Sequence, residues 1–161
     1  MKENYLEAVS LIERLHRLFL EVIKCELDSL KAEDINNVQA LVLYNLGGEQ
    51  ISIGELTTRG CYLGSNVSYN LKKMVQNGYI DQMTSKHDKR SFVIKLSPKG
   101  LALCKKIDSA LDKHVSVLKS EDFQGVDELV DILRKLEVFW NKVSFQRIRF
   151  GTATKTTRGK S

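Results

Sequence analysis

The apolar pattern of this chain changes period at Gly78, and that change constrains the fold more than any other feature. Ahead of it, Val67, Leu71, Met74 and Val75 fall within a sector of about 100° when successive residues are turned by about 100°. That is a helix with one buried face. Beyond it, Ile80, Gln82 and Thr84 alternate with Asp81 and Met83, and Phe92, Ile94 and Leu96 alternate with Ser91, Val93 and Lys95, the two-residue period of strands. The intervening Ser85-Lys86-His87-Asp88-Lys89-Arg90 is polar and mostly basic, so the two strands form a hairpin with a charged tip. Ser97-Pro98 is an N-cap followed by proline at the first helical position and opens another helix. A helix over 65–77, ended by Gly78 at the position that tolerates a left-handed backbone, therefore leads into a hairpin and then a further helix.

The flanks are helical. Leu11, Leu15, Leu18, Val22 and Cys25 recur at spacings of three and four, as do Tyr5, Val9, Ile12, His16, Phe19 and Ile23, so the first 30 residues form one helix with two adjacent apolar seams. A second helix is expected over Asp34–Leu46, stopped by Gly47-Gly48. Ser52 with Glu55 three residues on is a capping box for a short helix ending near Arg59, followed by a turn over 60–64. Leu101, Cys104, Leu111, Val115 and Leu118 keep helical spacing after Pro98, and Leu129, Leu133, Leu136, Trp140 and Val143 do so in a last helix over about Val126–Phe145. The expected fold is mainly α with a small β-hairpin: an N-terminal dimerisation helix (1–31), a winged helix-turn-helix domain (32–96), C-terminal dimerisation helices (97–145) and a flexible basic tail (146–161).

Charge sharpens this. The chain carries 25 Lys and Arg against 20 Asp and Glu, net +5. Residues 59–99 hold 8 basic and 2 acidic side chains and residues 146–161 hold 5 and none, whereas residues 1–58 hold 5 and 10. Positive charge confined to one window predicts a polyanion met by a defined surface. No apolar run approaches the roughly 20 residues of a membrane span, and the N-terminus lacks a signal-peptide pattern. Cys25, Cys61 and Cys104 are widely spaced with no CxxC pair, which argues against a disulfide or zinc framework and for a cytoplasmic setting with reduced thiols. The isolated His16, His87 and His114 predict no metal site. Phosphate loops, HExxH and GxSxG are absent, so no enzyme and no cofactor is expected.

Two short helices, a turn and a basic hairpin suit duplex DNA. A helix fits the major groove, and residues near its N-terminus reach base edges. Ser65, Asn66, Ser68 and Tyr69 are the expected base-reading residues, with Asn66 able to form a bidentate contact that favours adenine. Lys72 and Lys73 lie further along and suit phosphates. At the tip, Lys86, His87, Lys89 and Arg90 would enter the flanking minor groove, with Asp88 orienting Arg90.

This order of elements resembles the MarR family of bacterial transcription regulators. The matching stretches are Ile53-Gly54-Glu55-Leu56, the run from Asn66 through Leu71-Lys72-Lys73-Met74 to Gly78-Tyr79-Ile80, Asp88-Lys89-Arg90-Ser91 and Leu96-Ser97-Pro98-Lys99-Gly100. The likeness in order covers about residues 5–145. Arg59-Gly60-Cys61-Tyr62-Leu63-Gly64-Ser65-Asn66 further resembles an alphaproteobacterial subgroup that includes the L,D-transpeptidase regulator. The family often has Arg where Lys89 stands, and the basic tail falls outside its pattern. The resemblance implies a homodimer on a pseudo-palindromic operator, often released by a small ligand, here expected to be a small aromatic or phenolic effector. By analogy its pocket would involve His16, Arg17, Leu20, Tyr44, Asn45 and Met74. Against these stand blander readings: His16 as a core or interface histidine, and Cys25 and Cys104 as buried small hydrophobes. Two alternatives for the whole remain, a winged-helix protein–protein adaptor and a redox regulator acting through Cys61.

Overall fold

The computed structural model describes residues 1–58, 67–84, 92–121 and 123–151. Among the described residues, six helices and three strands follow in the order α1 (Lys2–Ser29), α2 (Asn37–Leu46), β1 (Ile51–Ser52), α3 (Ile53–Thr58), α4 (Val67–Gln76), β2 (Ile80–Thr84), β3 (Phe92–Leu96), α5 (Pro98–Ser120) and α6 (Val126–Gly151). No described helix is long and apolar enough to cross a membrane.

Residues 1–114 form one compact unit. Its core gathers Ile23 and Leu27 from α1, Ala40 to Leu43 and Leu46 from α2, Leu56 from α3, Leu71 and Met74 from α4, and Leu103 and Ile107 from α5. Ile51, Ile80, Ile94 and Leu96 cover it from the sheet. The strands pair antiparallel in the order β1-β3-β2, with Ile80 opposite Leu96 and Thr84 opposite Phe92. The expected hairpin is therefore two strands of a three-stranded sheet. β1 adds Ile51 opposite Ile94 and Ser52 opposite Val93. Two residues are too few for an alternating pattern to register, so only the pairing reveals this strand.

Local chemistry sets the boundaries. The second helix was expected from Asp34, but it starts at Asn37 behind a capping box on Asn36. The Gln39 N–H donates to Asn36 Oδ1 at 2.8 Å, and the Asn36 N–H donates to Gln39 Oε1 at 3.2 Å. Asn36 itself is extended (φ −94°, ψ 168°), which leaves Asp34 outside the helix. Gly47 ends α2 at φ +66°. The capping box on α3 has the expected form: the Glu55 N–H donates to Ser52 Oγ at 3.1 Å and the Ser52 N–H donates to a Glu55 carboxylate oxygen at 2.7 Å. On α5 the inward stripe is Gly100, Leu103, Ile107 and Ala110, beside the expected one. Leu101 is exposed, while Cys104 and Leu111 are half-buried against the core.

From Val115 onward lies a second unit, with the end of α5 and all of α6. Leu136 and Trp140 of the expected stripe are half-buried, and Leu129, Leu133 and Val143 are exposed. α6 runs past Phe145 to Gly151, into the segment expected as a tail. Residues 152–161 lie outside the described residues.

Candidate nucleic-acid interface

α4 is a two-faced helix. Leu71 and Met74 sit three residues apart and are buried, with Val75 half-buried beside them. Ser68, Tyr69, Lys72, Lys73 and Gln76 are exposed, Tyr69 at 62%. An aromatic ring that open is not part of a packing scheme within the chain. Two ammonium groups and two hydroxyls thus share the solvent side of one short helix, which is the equipment needed to meet phosphates and base edges.

The helix is held rigidly from behind. Buried Gln39 of α2 donates from Nε2 to Asn70 Oδ1 at 3.1 Å. At its end the Gly78 N–H donates to the Val75 carbonyl at 3.0 Å and the Tyr79 N–H to the Met74 carbonyl at 2.9 Å, with Gly78 at φ +76°. This closure satisfies carbonyls that would otherwise be orphaned at the helix end, and glycine adopts that backbone without strain.

A polar cluster then ties the end of α4 to two other elements. Asp34 accepts from the Tyr79 hydroxyl at 2.5 Å and from Lys99 Nζ at 2.5 Å. Lys99 Nζ also donates to the Asn77 carbonyl at 2.8 Å and lies 4.1 Å from the centre of the Tyr79 ring. Asn77 in turn donates from its side chain to the Asp34 carbonyl. Hydrogen bonds from Lys99 and Tyr79 hold the Asp34 carboxyl below its usual pKa, while burial, reinforced by Asp34, pushes the Tyr79 phenol upward. The sequence reading missed this cluster. Tyr79 and Lys99 stand in the quoted motifs, but nothing in the sequence joins them to Asp34, 45 residues from Tyr79.

The other expected residues are distributed as follows. Ser65, Asn66 and Cys61 lie outside the described residues, as do Lys86, His87, Asp88, Lys89 and Arg90; the last described pair before the tip is Thr84 with Phe92. Of the six expected pocket residues, Met74 is in the core at 1% exposure. Tyr44 is half-buried and donates to Asp108 Oδ1 at 2.7 Å, which raises its phenol pKa. Asn45 is exposed, and His16 is half-buried on α1. Arg17 and Leu20 line a cavity of about 270 Å³ together with Arg14 and Asn37, and the other four do not. Cys25, expected to be buried, is exposed; Cys104 is half-buried, and burial pushes its thiol up to about 11.

Residues 35–100 match the model of a winged helix DNA-binding domain. The chain is 37% identical over 143 residues to the exopolysaccharide II synthesis transcriptional activator ExpG of Rhizobium meliloti, covering 88% of this chain and 74% of that one. Among solved structures it is similar to the transcriptional regulator BldR from Sulfolobus solfataricus (TM-score 0.69, 20% identity, 84% of this chain and 95% of that one). It is similar also to a mutant of E. coli MarR complexed with operator DNA (TM-score 0.60, 24% identity, 87% and 95%). With its exposed α4 face, three-stranded sheet and long helices, the chain belongs to the winged helix transcriptional regulators and has the fold of MarR.

Proposed function

We propose that this regulator acts as a homodimer that binds a pseudo-palindromic operator in duplex DNA through the recognition helix 65–77 and the wing 81–96, and that a small ligand modulates it. The observation that carries the reading is the wet face of α4, with Ser68, Tyr69, Lys72 and Lys73 exposed opposite buried Leu71 and Met74. In this reading Ser65, Asn66, Ser68 and Tyr69 discriminate bases, and Lys72 and Lys73, with Lys86, His87, Lys89 and Arg90, supply electrostatic affinity. Dimerisation is supported by apolar surface that one chain leaves uncovered: Leu11, Leu15, Leu18 and Phe19 on α1, and Leu129, Leu133 and Val143 on α6. Isologous pairing buries such faces and sets two recognition helices about one DNA turn apart. The run Arg59–Asn66 supports placement in the L,D-transpeptidase regulator subgroup. A bacterial cytoplasmic location belongs to the same reading, since that is where such a regulator would meet its DNA.

The test is footprinting of the region upstream of its own gene, then gel-shift titration of the protected site against random duplex at physiological salt. The protected site is expected to bind far more tightly than random DNA. Lys72→Ala should weaken both alike and reduce the salt slope by about 1, whereas Asn66→Ala should erode preference at one base pair by roughly 1–3 kcal/mol. Equal affinity for the two duplexes overturns sequence-specific regulation in favour of an adaptor role.

A further inference from the structure

A cavity of about 260 Å³ opens between the segment that follows α1, Tyr79 just ahead of β2 and the first turns of α5. Leu30 and Leu103 are apolar lining residues, and Lys31, Lys99 and Lys106 line it as well, three basic residues against one acidic residue, Asp34. Lys99 is already engaged by Asp34, the Asn77 carbonyl and the Tyr79 ring. Lys31 and Lys106 make no ion pair among the described residues. The lining therefore keeps two uncompensated positive charges.

Lys31 has a second peculiarity. It is the only described non-glycine residue at positive φ, +54°, in the position after α1 where helices usually place glycine. A non-glycine residue is held there against the backbone preference, and that residue lines the cavity. A cation near a helix C-terminus explains part of this placement through the helix dipole, but not its convergence with Lys106 of α5 on one apolar-walled hollow. The hollow is smaller than the roughly 300–1,000 Å³ of sites that hold drug-sized molecules. It suits a compact ligand with an apolar middle and two negative charges.

We propose that this cavity binds a short aliphatic dicarboxylate, one carboxylate on Lys31 and the other on Lys106, with the methylene spacer against Leu30 and Leu103. The site is distinct from the face of α4 that meets DNA in the reading above, and its occupancy does not depend on that reading.

The experiment is calorimetric titration of the full chain, without DNA, with glutarate, butyrate and inorganic phosphate. Glutarate is expected to saturate one site per chain and to bind about tenfold more tightly than butyrate, the difference between two charge-assisted contacts and one. Lys31→Ala and Lys106→Ala should each bring glutarate down to the affinity of butyrate. Ala102→Leu, which places bulk in the same hollow from an exposed position on α5, should abolish binding while leaving the melting transition in place. Equal affinities of glutarate and butyrate overturn the proposal, as does a glutarate affinity unmoved in both lysine variants. Phosphate binding as tightly as glutarate overturns it too, because the apolar wall would then contribute nothing. Absence of any saturable heat with glutarate overturns it outright.

Discussion

Replacing Gly100 by alanine should destabilise this protein, although alanine is the better helix former. Gly100 lies in the first turn of α5, where exchanging glycine for alanine ordinarily stabilises by up to about 1 kcal/mol. Here the added Cβ would stand 2.3 Å from the Tyr79 carbonyl oxygen and 3.3 Å from its carbon. That carbonyl is not free to retreat, because it accepts from the Ser97 N–H at 3.0 Å, and Ser97 Oγ donates to the Gly78 carbonyl at 2.6 Å. Relief requires the start of α5 to move off the turn that closes α4, an overpacking cost of about 1–3 kcal/mol or more. The net expectation is a loss of about 1–2 kcal/mol, or roughly 2–8 °C in melting temperature for a chain of this size. Two controls share the exchange but not the obstacle. Gly54→Ala in α3 would meet only Ser52 Oγ at 3.8 Å and should stabilise by about 0.5–1 kcal/mol. Gly78→Ala meets nothing within 4 Å but sits at φ +76°, so it should lose about 1–2 kcal/mol through backbone strain alone. Denaturant unfolding followed by far-ultraviolet circular dichroism reads all three. A higher midpoint for Gly100→Ala, alongside that of Gly54→Ala, would refute the packing argument.

Two further outcomes follow from the same structure. Leu15→Asp and Leu133→Asp put a charge on apolar faces assigned to the proposed dimer interface, so each should shift the proposed dimer to monomer in light scattering after gel filtration; retention of a dimer by both would remove these faces from the interface. Hydrogen bonds from Lys99 and Tyr79 hold the folded Asp34 carboxyl below its ordinary value of 3.8, so its contribution is present above that pH and is lost as pH falls through the lowered value. Both partners of the Asp34–Lys99 contact are about half exposed, which limits its worth to about 0–1 kcal/mol. Asp34→Asn should therefore be slightly less stable than the parent at neutral pH, with the gap closing below pH 3.8; a gap that widens in acid would contradict this assignment.

Much of the architecture was legible from local rules. The capping box at Ser52 and Glu55, the helix end at Gly78, the strands on either side of 85–91 and the Ser97-Pro98 helix start each depend on residues within a few positions of one another. The two faces of α4 were legible for the same reason, since about 100° per residue sorts Leu71 and Met74 from Tyr69 and Lys72 without reference to the rest of the chain. Where a local signal has a competitor, spacing alone misplaces the boundary or the stripe. Asp34 looked like a helix start because it precedes an apolar run, yet Asn36 with Gln39 makes the reciprocal cap. On α5 the larger apolar residues at Leu101 and Leu118 suggested one stripe, whereas the buried stripe runs through Gly100 and Ala110. Small residues are chosen where elements approach closely, and hydrophobicity patterns underweight them.

What the sequence determined by itself was the succession of elements and the side of each that stays wet, because both follow from spacing along the chain. What only the tertiary structure decided were contacts between distant segments: β1 against β3, Asp34 with Tyr79 and Lys99, and the hollow that gathers Lys31 and Lys106. Their partners lie tens of residues apart, and no periodicity records which distant side chain a folded backbone brings within 3 Å.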